Sequence, residues 1–136
     1  MKSTFDIIDI LHGIVKVSAL ETAVNGDLYK NNDRPDNSIL EDIVINCLPA
    51  SGAQLQTATV NVNIYVPDLM IKIGGKNQYK SNFIRLKTLA TLAITLLEEI
   101  AMPGYHIEIV NQSIISEELI HQHFINIRLE YKTFNL

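Results

Sequence analysis

Several small groupings in this chain carry residue types that could do chemistry. His121 and His123 stand two apart. On a strand both would point to one face, and neutral imidazoles so placed can share a metal ion. That face continues into Ile125 and Ile127, and no Cys or further His stands near in sequence. A strand-start pair, partly buried or at a subunit contact, is therefore the expectation, with no metal. Glu98-Glu99 and Glu117-Glu118 are adjacent acids. Neighbours on a helix diverge by about 100°, so Glu98 and Glu99 cannot embrace one substrate, and both pairs read as solvated charge. Gly74-Gly75-Lys76 lacks the full spacing of a phosphate-binding loop and the Ser or Thr after its Lys. Cys47, the single cysteine, lies in the apolar run Ile43–Leu48 and is expected to be a buried small hydrophobe. His12 is expected mid-helix and His106 on an outward strand face. No catalytic, cofactor-binding or metal residues are expected, and the chain is not read as an enzyme.

Charge narrows the partners. The formal net charge is −4, with acids and bases interspersed. A generic nucleic-acid binder carries a basic excess, so no sequence-specific nucleic-acid binding is expected. Lys72, Lys76 and Lys80 recur every four residues near Tyr79. They can keep a mobile loop soluble, or touch passing DNA or acidic neighbours. Asp6 interrupts the apolar start, against a secretion signal. The apolar stretch between Lys87 and Glu98 is far shorter than the roughly 20 residues a membrane span needs. A soluble cytoplasmic protein with no membrane contact is expected.

The elements that must position these residues fit one α+β domain over residues 1–136. Apolar residues make up 47% of the chain, enough for a globular core. A first helix is predicted from about Thr4 to Ala23, capped by Ser3 or Thr4 and ended by Asn25-Gly26. Gly13 inside it marks either a close neighbour or a weak point. After the short segment Asp27–Lys30 comes the turn cluster Asn31–Asn37. Glu41–Leu48 reads as a central strand, apolar on both faces. Leu55–Val66 follows as its antiparallel partner. Its clearest part, Thr57–Val66, alternates Val60, Val62, Ile64 and Val66 against Thr59, Asn61, Asn63 and Tyr65.

Pro67–Lys80 is a long connection with an unusual apolar middle, and long loops are often functional. It reads as a projecting arm or a short extra strand, with Gly74-Gly75 as hinge residues and mobility until it meets a partner. Leu69, Met70, Ile71, Ile73 and Lys76 are the candidate subunit or tube interface. A second helix is predicted over Phe83–Ala101, capped by Ser81 or Asn82 and stopped by Pro103-Gly104. It is apolar nearly all round, whereas a helix lying on one sheet needs only a stripe. The surplus must face the first helix or another subunit. Two more strands, Tyr105–Asn111 and His121–Thr133, close the chain, with Gln112–Ile120 between them as a bulge or short helical turn. The expected order is α-β-β-α-β-β, an antiparallel-dominated sheet with two helices packed on one face.

This order resembles the phage tail terminator, or tail-completion, family. The likeness is carried by an N-terminal helix, then Gly26-Asp27-Leu28-Tyr29, and the Arg34-Pro35 turn. It continues through the strand opening Glu41-Asp42-Ile43-Val44-Ile45, the strand end Val62-Asn63-Ile64-Tyr65-Val66-Pro67, a long helix, and a closing strand pair ending in Ile125–Lys132. It spans almost the whole chain, and the chain departs from it in the apolar loop Leu69–Gly75. The resemblance implies a structural protein without catalytic residues or cofactors. Such a subunit forms a homo-oligomeric ring, commonly a hexamer, on the tail tube and joins it to the head-completion proteins. It implies a place in the virion tail, reached from the host cytoplasm during assembly. The rival expectation is a small cytoplasmic enzyme or ligand-binding α+β domain with its site between subunits.

Overall fold

A computed structural model describes residues 1–134, the side chain of Glu99 excepted. Ser3 opens the first helix. Its hydroxyl accepts from the Asp6 N–H at 3.0 Å, and the Asp6 carboxylate accepts from the Ser3 N–H at 2.9 Å. This reciprocal cap starts α1 (Thr4–Val15). The helix does not run on to Ala23 as expected. Val17 takes a positive φ of 59°, which breaks the helical path. Ser18 then caps a separate helix, α2 (Ala19–Ala23), by accepting from the Glu21 N–H. Gly13 meets no close neighbour, because nothing lies within 4 Å of where its Cβ would stand.

Among the described residues eight strands follow in place of the four expected. β1 (Leu28–Lys30) runs parallel to β2 (Ile43–Cys47), and β2 pairs antiparallel with β3 (Leu55–Pro67). The connection after β3 is itself a hairpin, β4 (Leu69–Ile73) with β5 (Lys76–Lys80). Then come α3 (Phe83–Leu97), β6 (Glu99–Met102), β7 (Tyr105–Glu117), a 3₁₀ turn at Glu118–Ile120, and β8 (Gln122–Phe134). The main sheet is mixed and has the order β1-β2-β3-β8-β7-β6. The protein is thus a mixed α+β domain, but the simple α-β-β-α-β-β order does not describe it.

Two boundary corrections have local causes. The long helix ends at Leu97, not Ala101. Pro103-Gly104, with Gly104 at φ 98°, forms a tight turn. The residues before it are drawn into a hairpin that places Ile100 opposite Ile107. β7 continues past Asn111 because Val110 is accommodated as a bulge between Ile109 and Asn111, after which pairing with β8 resumes.

The core lies between the helices and one face of the sheet. Register places Ile45 beside Val62 and Val62 beside Ile127, all fully buried. Onto this face α3 lays Leu86, Leu89, Ala93 and Leu97. Full burial of each Leu is worth roughly 1.5–3 kcal/mol. Leu92, Ile94 and Leu96 are partly buried, and α2 lies alongside α3. Phe83 and Ile84 stay exposed, so the most open part of this helix's apolar surplus is its first turn. The opposite sheet face is polar: Asn126 donates to Asn61 (3.1 Å) and Asn63 (2.7 Å), and Asn61 donates to Asn46 (3.0 Å). Among the described residues no helix is long and apolar enough to cross a membrane.

Candidate functional site

The hairpin β4–β5 is the arm that the apolar middle of Pro67–Lys80 suggested. Gly74 and Gly75 have φ of 59° and 80°. Two successive positive φ values make the two-residue turn whose twist matches that of the flanking strands. The glycines form the turn, and the segment is a two-stranded hairpin. Leu69, Ile71 and Ile73 share one face, and Met70 and Lys72 share the other. Met70 is 55% exposed, and Leu69, Ile71, Ile73 and Lys76 also stand open to solvent. A lone two-stranded hairpin is at best marginally stable in water. Here its base is fastened: the Tyr79 ring stacks on His121 at 3.8 Å between centroids, and the Asp68 N–H donates to the His121 carbonyl at 2.9 Å.

That stacking corrects the expectation for the two histidines. His121 lies just outside β8, in a left-handed conformation with φ 53° that closes the 3₁₀ turn. Its ring goes to the arm. His123 lies within β8, and its Nδ1 is 2.6 Å from the Asp68 carboxylate. The two rings therefore serve separate partners at the arm's base. Among the described residues no three His, Cys, Asp or Glu side chains gather where a metal could be held. The acidic pairs divide as well. Glu98 is exposed at the end of α3, and the Glu99 side chain lies outside the described residues. Glu117 ends β7 while Glu118 begins the 3₁₀ turn. Cys47 is half-buried and its thiol donates to the Leu48 carbonyl, while burial pushes the thiol's pKa up.

A different acidic pair, Glu41-Asp42, organises the interior. Asp42 is fully buried and accepts from Arg34 Nε (2.8 Å), the Asp27 N–H (2.9 Å) and the Ser38 hydroxyl. Arg34 also donates to Gln122 at 2.8 Å and lies over the Tyr65 ring, 4.1 Å from its centroid. Glu41 takes a two-pronged contact from Arg85 of α3, at 2.6 and 2.8 Å. Hydrogen bonding to Glu41 raises the Arg85 pKa further. These ion pairs tie the loop after β1 and the start of α3 to the start of β2. Every buried side-chain polar atom among the described residues has a partner, so no orphaned group points into a site. The arrangement pins three segments of the chain together around two carboxylates.

An apolar groove of about 430 Å³ lies between α3 and β7, lined by Phe83, Leu86, Ala90, Ile114 and Ile125 among others. One wall is an open strand edge. β6 covers β7 only from Tyr105 to Glu108, and beyond this the outer edge of β7 has no strand partner among the described residues. A second hollow, of about 570 Å³, lies at the other end of the sheet around Leu55, Met102, Tyr105 and Phe134. The first is also lined by Lys87, Gln112 and Ser113, and the second by His106, Lys132 and Thr133, so each joins an apolar floor to polar side chains. The fold and these surfaces define a mixed α+β domain with a fastened, apolar two-stranded arm and an open sheet edge. No known family model matches the chain, and no curated protein matches its sequence.

Proposed function

We propose that this protein is a structural assembly subunit that works as the phage tail terminators do. Copies close into a ring, taken as a hexamer, which caps a tail tube and joins it to head-completion proteins. It acts without catalysis or cofactor and resides in the virion tail after assembly in the host cytoplasm. The observation that carries this reading is the arm. Leu69, Met70, Ile71 and Ile73 lie exposed on both faces of a hairpin that forms a sheet of its own, apart from the main sheet, among the described residues. An exposed apolar strand edge is normally blunted or covered, because it templates pairing with another chain. Retained here beside Lys72, Lys76 and Lys80, it is a contact surface kept soluble until used. The family likeness rests on the sequence segments that carry it, from Gly26-Asp27-Leu28-Tyr29 to Ile125–Lys132.

Light scattering of the purified protein with and without isolated tail tubes tests the reading. A ring in solution, or one formed on the tubes, is the expected result. A strict monomer in both would reject it.

A further inference from the structure

We propose that the arm of one subunit adds to the open edge of β7 in a second copy. β4 becomes an extra strand there, and its apolar face fills the groove beneath α3. This rests on the ring reading above and names the contact that would close such a ring.

Both edges are free to pair. Among the described residues β4 pairs as a strand only with β5, and β7 beyond Glu108 only with β8. Strand addition to such an edge draws affinity from backbone hydrogen bonds and specificity from alternate side-chain pockets. The alternation of the two elements matches. On β7, Ile114 lines the groove on the helix side and is 55% exposed. Its neighbour Ile115 faces the other way, opposite Phe124, which stacks on Tyr65. Glu117 shares that other face and borders the hollow at Arg34 and Tyr65. On β4, Leu69, Ile71 and Ile73 form one face and Lys72 stands on the opposite one. Seating the apolar three in the groove places Lys72 on the side of the sheet where Glu117 stands. Neither charge has an ion-pair partner among the described residues. Charge and apolar matching thus follow from one orientation of the strand. The two patches differ, so the contact is head-to-tail, the kind that closes rings.

The test uses full-length protein with Cys47→Ser as background. Ile71→Cys and Ile114→Cys are made singly, mixed, and oxidised gently. Both positions are exposed, and thermal melts confirm that each variant folds. The expected result is a mixed covalent dimer several-fold above an Ile71→Cys and Val17→Cys control. The variant carrying both cysteines should give a ladder that ends at the ring size seen by scattering. Lys72→Glu should weaken assembly at least tenfold, and adding Glu117→Lys should restore it. Rings without the enriched cross-link would overturn this contact and leave the ring reading standing. Cross-linking of Ile71→Cys to tube protein and not to its own copies would overturn it in favour of the tube as occupant. Neither rings nor cross-links, at raised concentration and on tubes, would overturn both.

Discussion

Gly26 is a glycine because Asp42 fills the place of its side chain. A Cβ at position 26 would lie 2.0 Å from the Asp42 carboxylate and 2.3 Å from the Glu41 carbonyl. The Gly26 N–H donates to that same carbonyl at 2.9 Å. The segment before β1 is thereby laid directly against the start of β2. Gly26→Ala should push Asp42 away from Arg34 and cost at least ~2 kcal/mol, in the range of buried-network lesions. Gly13→Ala should do the reverse. With open space around it, it should gain about 1 kcal/mol from helix propensity alone. Urea unfolding of the two variants checks both signs.

The Arg34–Asp42 pair should be costly to break from one side. Asp42 has no exposed side-chain surface. Arg34→Met leaves that carboxylate buried without its cation, and about 3–5 kcal/mol should be lost. Arg34→Met with Asp42→Leu should cost less than the two single changes summed, because no charge is then stranded. A double-mutant cycle by denaturant unfolding measures the difference.

How much of this was legible in the sequence depends on the range of the signals. The alternation of Val60 to Val66 marked the central strand, since one face packs on helices and the other is polar. Ser3 marked the first helix start through its cap. The break at Val17 was harder to see, because the apolar spacing of Leu11, Ile14, Val15 and Leu20 runs through it. Ser18 followed three residues later by Glu21 was the local signal. Gly74-Gly75, flanked by alternating apolar residues, was a hairpin signature. Treated as a hinge, it hid two strands. Met102-Pro103-Gly104-Tyr105 had the residues of a tight turn, which can join two paired strands as readily as it can stop a helix. The Arg34–Asp42 and Arg85–Glu41 pairs were not legible, because each depends on where a distant loop or helix docks. The groove beside β7 arises from the docking of α3 and has no local signature.

Cys47 should react slowly. Burial raises its thiol pKa above the usual cysteine value, so the thiolate is scarce near neutral pH, and the thiolate is the reactive species. Alkylation of the native protein at pH 8 should be at least several-fold slower than that of the unfolded chain. It should accelerate as pH rises toward the raised pKa. Rates followed by mass spectrometry from pH 7 to 10 check this, and a native rate equal to the unfolded one would contradict it.

Met70 and Ile73 separate an assembly role for the arm from a role in the subunit core. Met70 pairs across the hairpin with Tyr79, and Ile73 with Lys76 beside the turn. Both are largely exposed, so little apolar burial is lost when they are replaced. The hairpin is held at its base by the Tyr79–His121 stack, and both of those residues are kept in the variant. Met70→Ser with Ile73→Ser should therefore change stability by less than about 1 kcal/mol, as surface substitutions do. Ring formation or joining to tail tubes should fail in the same variant. Light scattering and a thermal melt on one preparation give both readings. A steep fall in melting temperature would mean that these side chains belong to the subunit's own core. Intact assembly with an unchanged melt would remove the arm from the interface.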